Sequence, residues 1–165
     1  MELYHGCNVI VEKPILVPQQ RTLDFGQGFY TTMNKEQAIE FAKKVGARRE
    51  SEKGYVSIYE IIDYKQLKND LAVLEFLSPD YDWLDFVFEN RNGTYDGKAY
   101  DIIFGPVADD VIYRTFIAYE DGILTKDETI ARLKVKKLFN QITFCTETAL
   151  SYLKYAGNFE VSEGA

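Results

Sequence analysis

The sequence predicts a single domain of the α+β class. Three observations lead there: alternating apolar runs of strand length, apolar residues at helical spacing behind capping residues, and an order of elements that lacks strict βαβ alternation. A chain of 165 residues is long enough to bury one real core. We expect the domain over residues 1–157 and a polar tail over 158–165.

Glu2 to Tyr4 reads as a first strand ending at His5-Gly6. A loop follows from Glu12 to Gln27, with Pro14, Pro18 and a glycine-rich end, and Phe29 to Thr32 leaves it as a strand. Asn34 is placed to cap a helix, with Gln37 three residues on, Ala38, Phe41, Ala42 and Val45 at helical spacing, and Gly46 as its stop. Gly54 to Ile62 alternates as a strand does. Leu71 to Phe76 and Tyr100 to Phe104 read as further strands, and Tyr81 to Asn90 as an aromatic helix. Val111 to Tyr119 fits either a strand or a helix. Thr125 with Glu128 signs a capping box ahead of Ile130, Leu133 and Leu138. Gln141 to Cys145 reads as a strand, and Thr146 caps an expected last helix bearing Leu150, Leu153 and Tyr155, stopped by Gly157.

Composition excludes several function classes. The formal net charge is −7, and no basic stripe of the kind nucleic-acid binders use is present, so nonspecific nucleic-acid binding is not expected. Lys43, Lys44, Arg48 and Arg49, and the run from Lys134 to Lys137, read as solvated helix faces. The single histidine rules out a multi-histidine metal site, and Cys7 and Cys145 have no metal spacing; no metal is expected. No signal peptide and no apolar span is visible, so we expect a soluble, cytoplasmic protein that does not engage a membrane. Twelve tyrosines and eleven phenylalanines suit a Tyr-rich core and rim, and also clefts that grip flat polar ligands.

Three short segments, far apart in sequence, hold the candidate chemistry: Leu3-Tyr4-His5-Gly6, Gly26-Gln27-Gly28-Phe29-Tyr30-Thr31-Thr32, and Phe139-Asn140-Gln141-Ile142-Thr143-Phe144. The second is not the dinucleotide fingerprint, because its glycines precede a strand rather than open a helix. Taken together, the segments resemble the ADP-ribosyltransferases, in the branch shared by diphtheria-like toxins and poly(ADP-ribose) polymerases. The resemblance rests on His5-Gly6 ending a first strand, on Gly26-x-Gly28-x-Tyr30, on Phe41 eleven residues later, and on a late strand after Asn140. Asp24 to Tyr30 and Tyr100 to Asp110 also resemble hallmark segments of an uncharacterised bacterial family within that superfamily. Two positions depart: the family's catalytic Glu falls on Gln141, and its carboxamide-binding Ser falls on Ala38.

The resemblance implies split mixed β-sheets with flanking helices around an NAD cleft. It implies NAD as substrate, mono- rather than poly-ADP-ribosyl transfer to an unknown macromolecular or small acceptor, and a bacterial toxin setting with an antitoxin partner. It places His5, Tyr30, Gln141 and Asp110 as the catalytic set, and His5, Gly6, Arg21, Gly28, Tyr30, Thr31 and Phe41 around NAD. Positive charge grows on the ribose carbon as nicotinamide leaves, so a carboxylate there helps most. Gln141 accepts a hydrogen bond but carries no charge, which predicts slow chemistry or another acid in its place. Asp109, Asp110 and Glu147 are the nearest candidates, although Glu147 is better explained as a first-turn helix residue. Tyr30 and Phe41 are expected to sandwich the nicotinamide, with the Gly6 backbone on its carboxamide, His5 on a ribose hydroxyl and Arg21 on the pyrophosphate. The alternatives are a weak or inactive module that binds NAD or ADP-ribose, and a protein-interaction domain using the aromatic stretch from Trp83 to Phe88.

Overall fold

A computed structural model describes residues 1–17, 23–50, 53–106, 110–134 and 139–162. The described residues form a mixed seven-stranded sheet and six helices. The strands are β1 (Glu2–Cys7), β2 (Phe29–Thr32), β3 (Lys53–Glu60), β4 (Val73–Glu75), β5 (Ile102–Pro106), β6 (Asn140–Phe144) and β7 (Lys154–Ser162). The helices are α1 (Lys35–Arg48), α2 (Tyr64–Asp70), α3 (Tyr81–Arg91), α4 (Asp110–Glu120), α5 (Lys126–Lys134) and α6 (Glu147–Leu150). The sheet order is β4-β5-β6-β2-β1-β3-β7, with only β4 and β5 parallel. The α+β class is therefore as expected, but the sheet is one and not two.

Local chemistry starts most helices where the sequence says. Asn34 accepts from the Gln37 N–H at 2.9 Å and Thr146 from the Ala149 N–H at 3.1 Å. Thr125 caps α5: its hydroxyl accepts from the Glu128 N–H at 3.1 Å and donates to Glu128 Oε1 at 3.0 Å. Residues 111–119, ambiguous in sequence, are helical.

Two expectations fail. The last helix stops at Leu150, and Leu153 and Tyr155 are not part of it. The tail expected from Asn158 is instead the second half of β7, paired with β3 from Lys53↔Ser162 to Glu60↔Lys154. Gly157 is no helix stop: it lies next to a register shift in that ladder, at φ 144°. Phe159 and Val161 then alternate with exposed Asn158 and Glu160, a period-2 pattern that buries one side of the strand. Helix α2 was not foreseen, although Asp63 caps it by accepting from the Gln66 N–H.

Strand alternation divides the core between the two faces. On one face, α1 packs Ala38 and Ala42 on Tyr4, Val56 and Val161. The same face, farther along, holds Tyr30, Ile103, Trp83, Phe116 and Leu133 beneath α3, α4 and α5. The opposite face buries Leu3, Phe29, Tyr59, Ile142 and Phe144 under Leu67 of α2 and Leu150 of α6. Each face excludes water over several large side chains, at roughly 1.5–3 kcal/mol for each one buried.

Candidate functional site: the β1–β2–β6 centre

The three segments singled out in the sequence become three adjacent strands, in the order β6-β2-β1. β2 pairs with β6 from Phe29↔Phe144 to Thr32↔Gln141. β1 pairs with β2 only at Tyr4↔Thr32, while its ladder with β3 runs all the way from Glu2 to Cys7. The β1–β2 ladder thus ends where His5 and Gly6 come abreast of Tyr30.

The His5 side chain bridges this seam. Its Nδ1 lies 2.7 Å from the Tyr30 carbonyl, and since that oxygen only accepts, Nδ1 carries the proton and Nε2 is the acceptor of a neutral imidazole. The ring lies 4.3 Å from the Phe29 ring, tilted by 31°. Burial holds the imidazole pKa below its ordinary value, against an opposing pull from the hydrogen bond to Tyr30.

Tyr30 points the other way. Phe29 and Tyr30 are consecutive in β2, so their side chains leave opposite faces, and His5 goes with Phe29. The Tyr30 hydroxyl donates to the Gly26 carbonyl and accepts from the Phe25 N–H at 3.1 Å. Burial pushes its pKa far above the ordinary phenol value, so it is neutral. The imidazole and the phenol therefore do not line one hollow, as the sequence had led us to expect; they are joined through the Tyr30 carbonyl. Phe41, the other ring expected against the nicotinamide, is half exposed on α1 and makes no direct ring contact with Tyr30 among the described residues.

The glycines answer to packing. A Cβ on Gly6 would meet the Ala38 carbonyl oxygen at 2.2 Å, so its missing side chain lets α1 sit on β1. A Cβ on Gly28 would meet Thr143 Cγ2 at 2.6 Å, so it lets β2 approach β6. Thr31 is buried and donates to the Ile142 carbonyl at 2.8 Å, another structural contact. Arg21 and Asp109 fall outside the described residues; Asp110 opens α4, and its side chain is outside them as well. Glu147 is exposed in the first turn of α6, where a carboxylate favours the helix dipole.

Gln141 is different. It is 93% buried (7% exposed), opposite Thr32 on β2 and Gly105 on β5, on the same face as Tyr30. Among the described residues its Nε2 has no hydrogen-bond partner, and neither has the buried Thr143 Oγ1 two residues on. Beside them, the Thr32 hydroxyl donates to Gln37 Oε1 at 2.7 Å and accepts from the Asn34 N–H at 3.0 Å. An unpaired buried amide donor costs about 1–3 kcal/mol, so in a native fold each one calls for a specific explanation.

The family-level comparison agrees with the extent of this fold. A family model described as a protein of unknown function, DUF3990, matches residues 1–155. The chain belongs to the DUF3990 family. No curated protein and no solved structure matches it.

One contact of this DUF3990 domain has no counterpart in the sequence reading. Arg91 of α3 meets buried Asp24 at 2.6 Å and lies 5.0 Å over the Phe116 ring, tying the segment from Asp24 to Gly28 to α3. Their separation of 67 residues left no local signal. Burial pushes the Cys145 thiol up to about 12, so it is no nucleophile at neutral pH. Two cavities lie near the sheet. One, of about 300 Å³, sits among Ile62, Asp63, Gln66, Tyr152 and Lys154 and holds none of the three segments. The other, of about 220 Å³, is lined by Leu16, Val17, Gln27, Gly28 and Cys145. Among the described residues, no helix is long and apolar enough to cross a membrane.

Proposed function

We propose that this protein is an ADP-ribosyltransferase-type domain that takes NAD on the α1-facing side of β2 and β6 and carries out slow mono-ADP-ribosyl transfer. The observation behind this reading is the juxtaposition of three segments that are remote in sequence. Gln141, where the resembled family has its Glu, is a buried, unpartnered amide beside Thr32 and one strand from Tyr4-His5-Gly6. In this reading Gln141 meets the ribose, Tyr30 supports the loop beneath it, and His5 acts at one remove by fixing the Tyr30 carbonyl. A bacterial toxin role with an antitoxin partner follows from the resemblance alone and belongs to the same proposal.

The energetics limit the rate. A carboxylate facing the developing oxocarbenium charge in a dry site supplies several kcal/mol, whereas a neutral hydrogen bond nets roughly 1 kcal/mol. The test is incubation with NAD labelled in its adenylate half, together with cell extract. The reading requires labelled product from the wild type and faster NAD loss from Gln141→Glu; no product from either protein contradicts transfer.

A second reading is binding without turnover. The neutral amide at position 141 favours it, as does the placement of the His5 imidazole on the far face from Gln141. Calorimetry showing NAD or ADP-ribose binding, without release of nicotinamide, selects this reading over transfer.

A further inference from the structure

We infer that β7 is a docking edge for a second copy of this chain, paired antiparallel to itself about a two-fold axis at Asn158. β7 closes one end of the sheet, and among the described residues no strand pairs with its outer side. Its 9 residues leave a row of backbone N–H and C=O groups facing outward. The other end of the sheet is β4, which has only 3 residues. Proteins blunt long edges with lysines, prolines or inward-pointing charges. Between Tyr155 and Ser162 the only charged side chain is Glu160, and Lys53 Nζ of the adjoining strand lies 3.4 Å from its carboxylate. The edge is therefore long and locally neutral, although the whole chain carries −7.

The residues of β7 select a second copy and its register. Ile58 pairs with Gly157 and Tyr59 with Tyr155, so Ala156 is an extra residue and the regular stretch runs from Gly157 to Ser162. Opposite residues of an antiparallel pair share a face, so the two-fold of a self-pairing strand passes through one residue. Through Asn158, it sets Gly157 of each copy against Phe159 of the other. A Cβ on Gly157 would meet nothing within 4 Å, so the space beside the backbone is open there, and the Phe159 ring is only partly buried on the same side of the sheet. An aromatic laid across an edge glycine covers that bare backbone. On the opposite side Asn158 is exposed and meets its own copy. Its Nδ2 donates to the Tyr155 hydroxyl, which leaves a second N–H and the amide oxygen for the facing amide. A two-fold through Glu160 would oppose two carboxylates, and one through Phe159 would set Val161 rather than an aromatic across Gly157.

The experiment is sedimentation velocity on the whole chain over a concentration series, at physiological ionic strength to screen the net charge. It is repeated for Asn158→Asp, for Asn158→Lys and for an equimolar mixture of the two. The wild type is expected to pass from monomer to dimer as its concentration rises. Each variant puts like charges on the axis and should weaken the dimer roughly tenfold or more, whereas the mixture sets Asp against Lys and should regain it. A wild type that stays monomeric throughout overturns the inference. So does a dimer that both variants leave intact, or a mixture no more associated than either variant alone. Amide hydrogen exchange of the wild type decides the surface without any variant. Amides from Gly157 to Ser162 should exchange more slowly as the dimer forms, and a dimer in which none of them slows overturns the inference as well.

Discussion

His5 Nδ1 donates to the main-chain carbonyl of Tyr30 at 2.7 Å, across the point where β1 and β2 stop pairing. One side chain thus replaces the ladder between two central strands, and its tautomer is set by the oxygen it meets. Protonation would leave Nδ1–H in place and put a second N–H on a half-buried ring lying over Phe29.

That arrangement fixes a pH dependence. The folded pKa of His5 is lowered from 6.5 by burial, so below that value the unfolded chain binds a proton the folded chain resists. Stability is complete above the unfolded pKa and is lost as the pH falls through it, at no more than about 1.4 kcal/mol per pH unit. Urea melts between pH 7.5 and 5.5 should show this loss in the wild type and not in His5→Gln.

Gly6→Ala should destabilise by about 3 kcal/mol, because the added methyl meets the Ala38 carbonyl oxygen and the Ala42 nitrogen, main-chain atoms that cannot swing aside. Denaturant unfolding measures it. A change under 1 kcal/mol would mean that α1 does not sit on β1 as described.

Tyr30→Phe removes the hydroxyl that joins the Gly26 carbonyl and the Phe25 N–H, and should cost roughly 1–2 kcal/mol. Arg91→Met should cost about 3 kcal/mol by leaving the buried Asp24 carboxylate without its guanidinium. Amide hydrogen exchange should then quicken around Phe25 and Gly26 in both variants, since both contacts hold the same segment.

Gln141→Met should leave the ligand-free protein as stable or up to about 1 kcal/mol more stable, because it removes an amide that has no partner. The same change should abolish ADP-ribose binding. Thermal melts with and without ligand read both effects. A large loss of ligand-free stability would show that the amide is structural.

Much of the fold could be read from residues. Asn34, Thr125 with Glu128, and Thr146 announced their helices because capping is local chemistry. The alternation in Gly54–Glu60 announced β3 because one face of a central strand must be apolar. β7 was misread because Leu150 and Leu153 fall at helical spacing and Gly157 looked like a stop, whereas pairing with β3 decided the matter. The three motif segments were legible as a set, but not the faces their side chains take. That depends on register: shifting β1 by one residue against β2 would move His5 to the Tyr30 side. The Asp24–Arg91 contact and the orphaned Gln141 amide likewise follow from packing between remote segments.

The central claim is that β2 and β6 present a ribose-binding surface at Gln141, and a crystal of the protein grown with ADP-ribose tests it most directly. The account predicts a ribose on the α1-facing side of the sheet, with a hydroxyl within about 3.2 Å of Gln141 Nε2. ADP-ribose seated instead in the cavity beside Ile62 and Lys154, with the Gln141 amide still unpartnered, would contradict it.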